Sequence, residues 1–146
     1  MRKPRVLIDT NILLSGLIWN GNEAKILDMS VSSNICLLIP EFVIDEARRV
    51  LALKFQEHAQ LLDDVLSLLT YEVLSCPASV SLESARAVLR DPNDAAVLAS
   101  IIDAQPDYAV TGDKDLLTPE VQAIFPTCRS ADFLRRFAEF NESDLA

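Results

Sequence analysis

Apolar residues recur along the chain in two alternating patterns. Short runs rich in Val, Ile, Leu or Tyr, each bounded by turn formers, occur at "RVLID" (5–9), "ICLLIP" (35–40), "TYEVLS" (70–75) and "DYAVTGD" (107–113), with "TCRS" (127–130) a weaker fifth. These predict strands. Between them, "NEAKILDMSVSS", "FVIDEARRVLALKF", "HAQLLDDVLSLL" and "PNDAAVLASIIDA" repeat apolar residues at intervals of three and four, the period of a helix that buries one face. A last helix is expected through "SADFLRRFAEF", with Ser130 as its N-cap and the polar tail 141–146 frayed. Strands alternating with helices, two of them between the second and third strands, predict one α/β domain over 1–146. Its expected form is a three-layer α/β/α sandwich around a parallel sheet of about five strands.

Composition narrows this picture. Half of the 146 residues are apolar, enough for a core without disulfides or structural metal. A net charge of −9 argues against the broad basic surface of a stand-alone nucleic-acid binder. It leaves room for a nuclease whose acid is concentrated in a metal site. Cys36, Cys76 and Cys128 are far apart and form no C-x-x-C pair, which predicts reduced, buried thiols. The first apolar run is cut by Asp9 and Asn11, unlike a secretory signal, and no run approaches the ~20 residues that cross a bilayer. A soluble cytoplasmic protein is expected.

The chemistry concentrates in acids at unusual places. Ligand sites of parallel α/β sheets lie beyond the carboxyl ends of the strands, where strand order reverses. The first predicted strand ends in Asp9, followed by Thr10 and Asn11; the fourth leads through Thr111 and Gly112, a residue suited to a sharp exit, to Asp113 and Asp115. Glu46 falls at the edge of the core stripe of Val43, Ala47, Val50 and Leu51, while Asp45 and Arg49 point outward. In "RDPNDAAVLAS", Asp91 suits an N-cap, Pro92 the first helical position and Asp94 the first turn.

Each acid alone has an ordinary explanation. Asp9 can start a turn, Asp91 can cap, Asp94 can answer a helix dipole, Glu46 can pair with Arg48 or Arg49, and Asp115 can cap a short helix after it. The acids at the two strand ends and the one at the N-terminus of the helix feeding the fourth strand should converge on one rim. Two carboxylates about 5 Å apart repel by roughly 3 kcal/mol at an effective dielectric near 20, so three or four need a cation. Oxygen ligands without His or Cys point to Mg²⁺ or Mn²⁺, and such a site suits phosphoryl chemistry.

At these residues the sequence resembles a PIN domain, the metal-dependent ribonuclease fold, and within it the bacterial and archaeal VapC-like toxins of toxin–antitoxin systems. The resemblance runs from "VLIDTNILLSGLIW" through "IPEFVIDEARRVL" and "LRDPNDAAVLASIIDAQPDYAVTGDKDLL" to "CRSADFL". It implies catalytic, metal-holding acids at Asp9, Glu46, Asp94 and Asp113, with Asp115 at a position acidic in many relatives and Asn11 and Thr111 as supporting polar residues. The implied reaction is hydrolysis of an RNA phosphodiester to a 5′-phosphate and a 3′-hydroxyl. Asp9, Asp94 and Asp113 would hold one or two divalent ions, and Glu46 would bridge a metal or orient the attacking water. A small antitoxin protein and a homodimer are the implied partners, with an apolar patch around Ile12 to Trp19 one candidate interface.

Substrate contacts are less legible. Arg48, Arg49, Lys54, Lys114, Arg135 and Arg136 are candidates for phosphates, with Lys114, between the acids of "GDKD", and Arg49 foremost. Trp19 is expected in the core or an interface rather than stacked on a base. His58, the single histidine, excludes a two-histidine ribonuclease mechanism. With only Gly16, Gly21 and Gly112 there is no G-x-G-x-x-G or P-loop. "DTNIL" lacks the second acid of a haloacid-dehalogenase-type phosphatase, and "LIDTN" with "EVLSC" lacks the acids of a receiver domain. The standing alternative is a catalytically silent PIN-fold scaffold acting through protein contacts.

Overall fold

The computed structural model describes residues 2–145. Five strands, β1 (Arg5–Ile8), β2 (Cys36–Pro40), β3 (Tyr71–Leu74), β4 (Tyr108–Val110) and β5 (Thr127–Cys128), form one sheet in the order β3-β2-β1-β4-β5. Every neighbouring pair is parallel. Central strands of such a sheet are covered on both faces, which is why β1 reads as a continuous apolar run rather than an alternation. Val6, Ile8, Leu37, Ile39 and Val110 face one core, and Leu7, Leu38 and Ala109 face the other.

The first core is closed by α1 (Thr10–Ile18), α2 (Asn22–Val31), α3 (Glu41–Lys54), α4 (Leu61–Leu66) and α8 (Ser130–Leu145). The second is closed by α5 (Ser79–Arg86), α6 (Pro92–Ala104) and α7 (Pro119–Ile124). This is the three-layer arrangement expected, with α3 and α4 the two helices between β2 and β3. Phe133 anchors α8, fully buried and edge-on to Tyr108 of β4 with centroids 5.0 Å apart. No helix among the described residues is long and apolar enough to cross a membrane.

Three helices were not legible as helices. The sequence of α1, "TNILLSGLI", is nearly apolar all round and carries a glycine, so no periodicity marks it. Gly16 is there because α2 crosses closely: a Cβ would lie 2.6 Å from Leu27 Cδ1 and 3.1 Å from the Glu23 carbonyl oxygen. Gly16→Ala should therefore destabilise the fold by about 1–2 kcal/mol, overpacking outweighing the better helix propensity of alanine. Thermal denaturation would reveal this as a lowered midpoint, and a raised one would refute it. Helices α5 and α7 are short, and α5 begins at Ala78 without a side-chain cap. Asp103 of α6 holds that end instead, accepting from the Ala78 N–H at 2.7 Å and from the Ser81 hydroxyl. Those two donors keep its carboxyl below the ordinary value.

Several expectations need correction. Ser130 is the first residue of α8, not its cap, and its buried hydroxyl has no partner. Helix α8 is described through Leu145, and residue 146 lies outside the described residues. All three thiols are free, but only Cys128 is buried; Cys36 is half-buried and Cys76 exposed. Within the segment Ile12 to Trp19, Ile12 and Leu13 lie in the core, Leu14, Leu17 and Ile18 are half-buried, and Trp19 is 59% exposed against the edge of Phe55.

Candidate active site

Strand order reverses between β1 and β4, which pair directly while the chain passes β2 and β3 on the other side. The register pairs Ile8 with Val110, so the next residue of each strand, Asp9 and Thr111, emerges beside the other. The Thr111 hydroxyl donates to Asp9 Oδ2 and accepts from the Asp113 N–H at 3.0 Å. Asp9 Oδ1 accepts from the Ile12 N–H at 3.1 Å and caps α1. Thus Asp9, 5% exposed, has both oxygens engaged and a fixed orientation. Burial pushes its carboxyl above the ordinary value, the two donors working against that and Asp113 with it.

Asp91 caps α6 as expected, accepting from the Asn93 and Asp94 N–H groups at 2.8 and 3.2 Å, with Pro92 next. This turns Asp94 toward the strand ends. Asp113 caps the short 3₁₀ turn Lys114–Leu116 by accepting from the Asp115 N–H at 2.9 Å. That was the role expected of Asp115; the cap of α7 is Thr118. Gly112 needs no special backbone, for its φ is not positive and a Cβ there would meet nothing.

These elements enclose a cleft of about 290 Å³ lined by six carboxylates: Asp9, Glu46, Asp91, Asp94, Asp113 and Asp115. Asn11 lines it too; Thr111 lies buried behind Asp9. Asp94, Asp113 and Asp115 each present a carboxylate oxygen within 4.8 Å of the others. Asp9 and Glu46 line the same cleft outside that set. Burial, a hydrogen bond shared with Asp113, and the charges of Asp113, Asp91 and Asp115 push the Asp94 carboxyl up to about 7. No His or Cys lines the cleft, so the donors fit a hard cation such as Mg²⁺ or Mn²⁺.

The residues singled out for phosphate divide differently. Lys114 and Arg49 are exposed and line no part of this cleft, Arg48 is paired with Asp63, and Arg135 with Asp132. His58 lies exposed on the 3₁₀ turn Gln56–His58. Asp91 and Asn93 line the cleft without having been chosen for it. Their signal was only adjacency to Asp94 in a helix-start motif, where capping was a sufficient explanation.

Fold and site together define a parallel α/β domain with an acidic cleft at its switch point. Residues 5–115 match the family model described as a PIN domain, and the chain belongs to that family, whose members are in general nucleases. No curated protein matches it in sequence. Among solved structures, the fold is similar to VapBC2 from Rickettsia felis bound to a DNA fragment from its promoter, with a TM-score of 0.64 and 18% identity over 86% of this chain and 96% of that one. It is also similar to PAE2754 from Pyrobaculum aerophilum, with a TM-score of 0.63 and 22% identity over 94% and 99%. FitAcB from Neisseria gonorrhoeae aligns with a TM-score of 0.60 and 17% identity over 85% and 96%.

Proposed function

We propose that this chain is a divalent-metal-dependent endoribonuclease and the toxin of a type II toxin–antitoxin pair. The observation that carries the nuclease reading is the meeting of Asp94, Asp113 and Asp115 within 4.8 Å, in a cleft that Asp9 and Glu46 also line. Asp94, Asp113 and Asp115 would hold the ion, with Asp9 and Glu46 facing it directly or through water. A bound Mg²⁺ or Mn²⁺ supplies neutralising charge and activates water for attack on phosphorus.

The chain's own groups do the rest. Thr111 and the Ile12 N–H hold Asp9 still, so its charge is aimed before substrate arrives. Glu46, on α3 across the cleft, orients the attacking water and accepts its proton. The water oxygen bonds to phosphorus, the P–O3′ bond breaks, and the leaving 3′-oxygen takes a proton from solvent water. Asn11 offers an uncharged amide to a phosphate oxygen beside these acids.

The toxin reading and the antitoxin partner rest on the sequence resemblance and on likeness of fold to VapBC2 and FitAcB. A homodimer belongs to the same proposal. Purified protein should cleave RNA with Mg²⁺ or Mn²⁺ and stop in EDTA. Cleavage persisting in EDTA would sink the metal mechanism, and a metal-binding protein silent on every RNA would favour the scaffold. Growth arrest on expression, relieved by a small protein encoded beside it, tests the toxin assignment.

A further inference from the structure

The acidic cleft shares a wall, Asp91, Asp94 and Asp115, with a second cleft of about 390 Å³. The second cleft adds Arg90, Thr118 and Glu120, with the apolar Val88 and Leu89 beside them. Arg90 is the single cation lining either cleft. Arg2, Arg5, Arg48 and Arg135 are each tied to a carboxylate; among the described residues Arg90 is tied to none. Thr118 accepts from the Val121 N–H at 3.4 Å, which leaves its hydroxyl proton free to donate.

A polyanion approaching six carboxylates meets repulsion that a metal relieves only at the phosphate being cut. Its neighbouring phosphates need a cation of their own. A guanidinium presents a planar fork that matches phosphate oxygens, and a hydroxyl adds a second donor. We propose that Arg90 and Thr118 form a backbone subsite that grips a phosphate of the RNA strand next to the one cleaved, the half-buried Val88 giving the adjoining ribose or base an apolar face. This rests on the nuclease reading and supplies the substrate-holding cation that Lys114 and Arg49 do not. Glu120, lining the same cleft, opposes the phosphate and limits affinity.

The test is steady-state cleavage of a mixed-sequence single-stranded RNA oligonucleotide with Mn²⁺ across a salt series. Arg90→Ala should raise KM about tenfold with little change in kcat, and Arg90→Lys should recover part of it. The salt slope of log KM should fall by about 0.7, the share of one phosphate contact on a single strand. The ratio of parent to variant should shrink as the oligonucleotide is shortened. Glu120→Gln should lower KM roughly twofold to threefold, and this opposite shift keeps the test valid if Arg90→Ala folds poorly. A parent that cleaves RNA while Arg90→Ala keeps its KM and salt slope overturns the subsite alone, as does an unchanged or raised KM in Glu120→Gln. A parent that cleaves no RNA with Mn²⁺ overturns the nuclease reading and the subsite with it.

Discussion

Replacing Asp94 by Asn should lower metal-dependent RNA cleavage by about a thousandfold or more while making the metal-free protein more stable. The two effects have one cause. Asp94 is half-buried, shares a hydrogen bond with Asp113 and feels the charges of Asp113, Asp91 and Asp115, which together push its carboxyl up to about 7. Its native value therefore lies above the ordinary 3.8, so the folded chain binds the proton more tightly than the unfolded chain. The stability contributed by this group is fully present below 3.8 and is lost as pH rises through about 7. Asn removes that loss at neutral pH, a gain of roughly 1 kcal/mol after allowing for solvent screening, or about 3 °C in Tm.

Acidifying the metal-free parent from pH 7 toward 5 should likewise raise its Tm, and Asp9, shifted in the same direction, adds to the trend. Asp103 acts in a lower window: its depressed carboxyl stabilises above 3.8, and that contribution disappears as pH falls through its folded value. Saturating Mn²⁺ should remove the gain on acidification, since the ion and the Asp94 proton compete. Scanning calorimetry across pH, with and without Mn²⁺, reads all of this. A destabilised Asp94→Asn protein, or a metal-free Tm that falls from pH 7 to 5, would contradict it.

The second large effect is expected at Thr111. Valine keeps the volume of threonine but removes the hydroxyl that donates to Asp9 and accepts from the Asp113 N–H. Asp9 would be left buried with one donor in place of two, and the Asp113 amide would lose its acceptor. Thr111→Val should cost about 2–3 kcal/mol of stability. Metal affinity should fall about tenfold to a hundredfold, the usual range for losing a group that orients ligands. Thr111→Ser should retain most of both. Isothermal titration with Mn²⁺, together with urea denaturation, separates the outcomes. Equal loss in the Ser and Val variants would show that packing of the threonine methyl, not its hydroxyl, is what matters.

What could be read from the sequence follows the strength of local signals. All five strands and the helices with a clear apolar stripe were legible because each buries one defined face or lies wholly inside. The α1 helix was hidden by its own burial and by Gly16, whose reason is a contact with Leu27 that no local pattern carries. Asp9, Glu46, Asp94 and Asp113 were recognisable as acids at strand ends and helix edges, and all four line one cleft. The finer grouping was not legible. That Asp115 belongs with Asp94 and Asp113 depends on how the turn after β4 folds back, and that turn is set by Asp113 capping it. Arg90 escaped notice because it precedes a strong helix-start signal, and only the shape between α6 and α7 turns it toward the cleft.

The hydrogen bond from Thr111 to Asp9 joins residues 102 positions apart. Four of the six rim carboxylates thus precede β4 on the ribosome and two follow it. A nascent chain ending before Tyr108 has neither β4 nor the turn that carries Asp113 and Asp115. Such a chain lacks two of the three carboxylates that meet within 4.8 Å. Synthesis thus completes the cleft only after the central strand has been flanked on its second side.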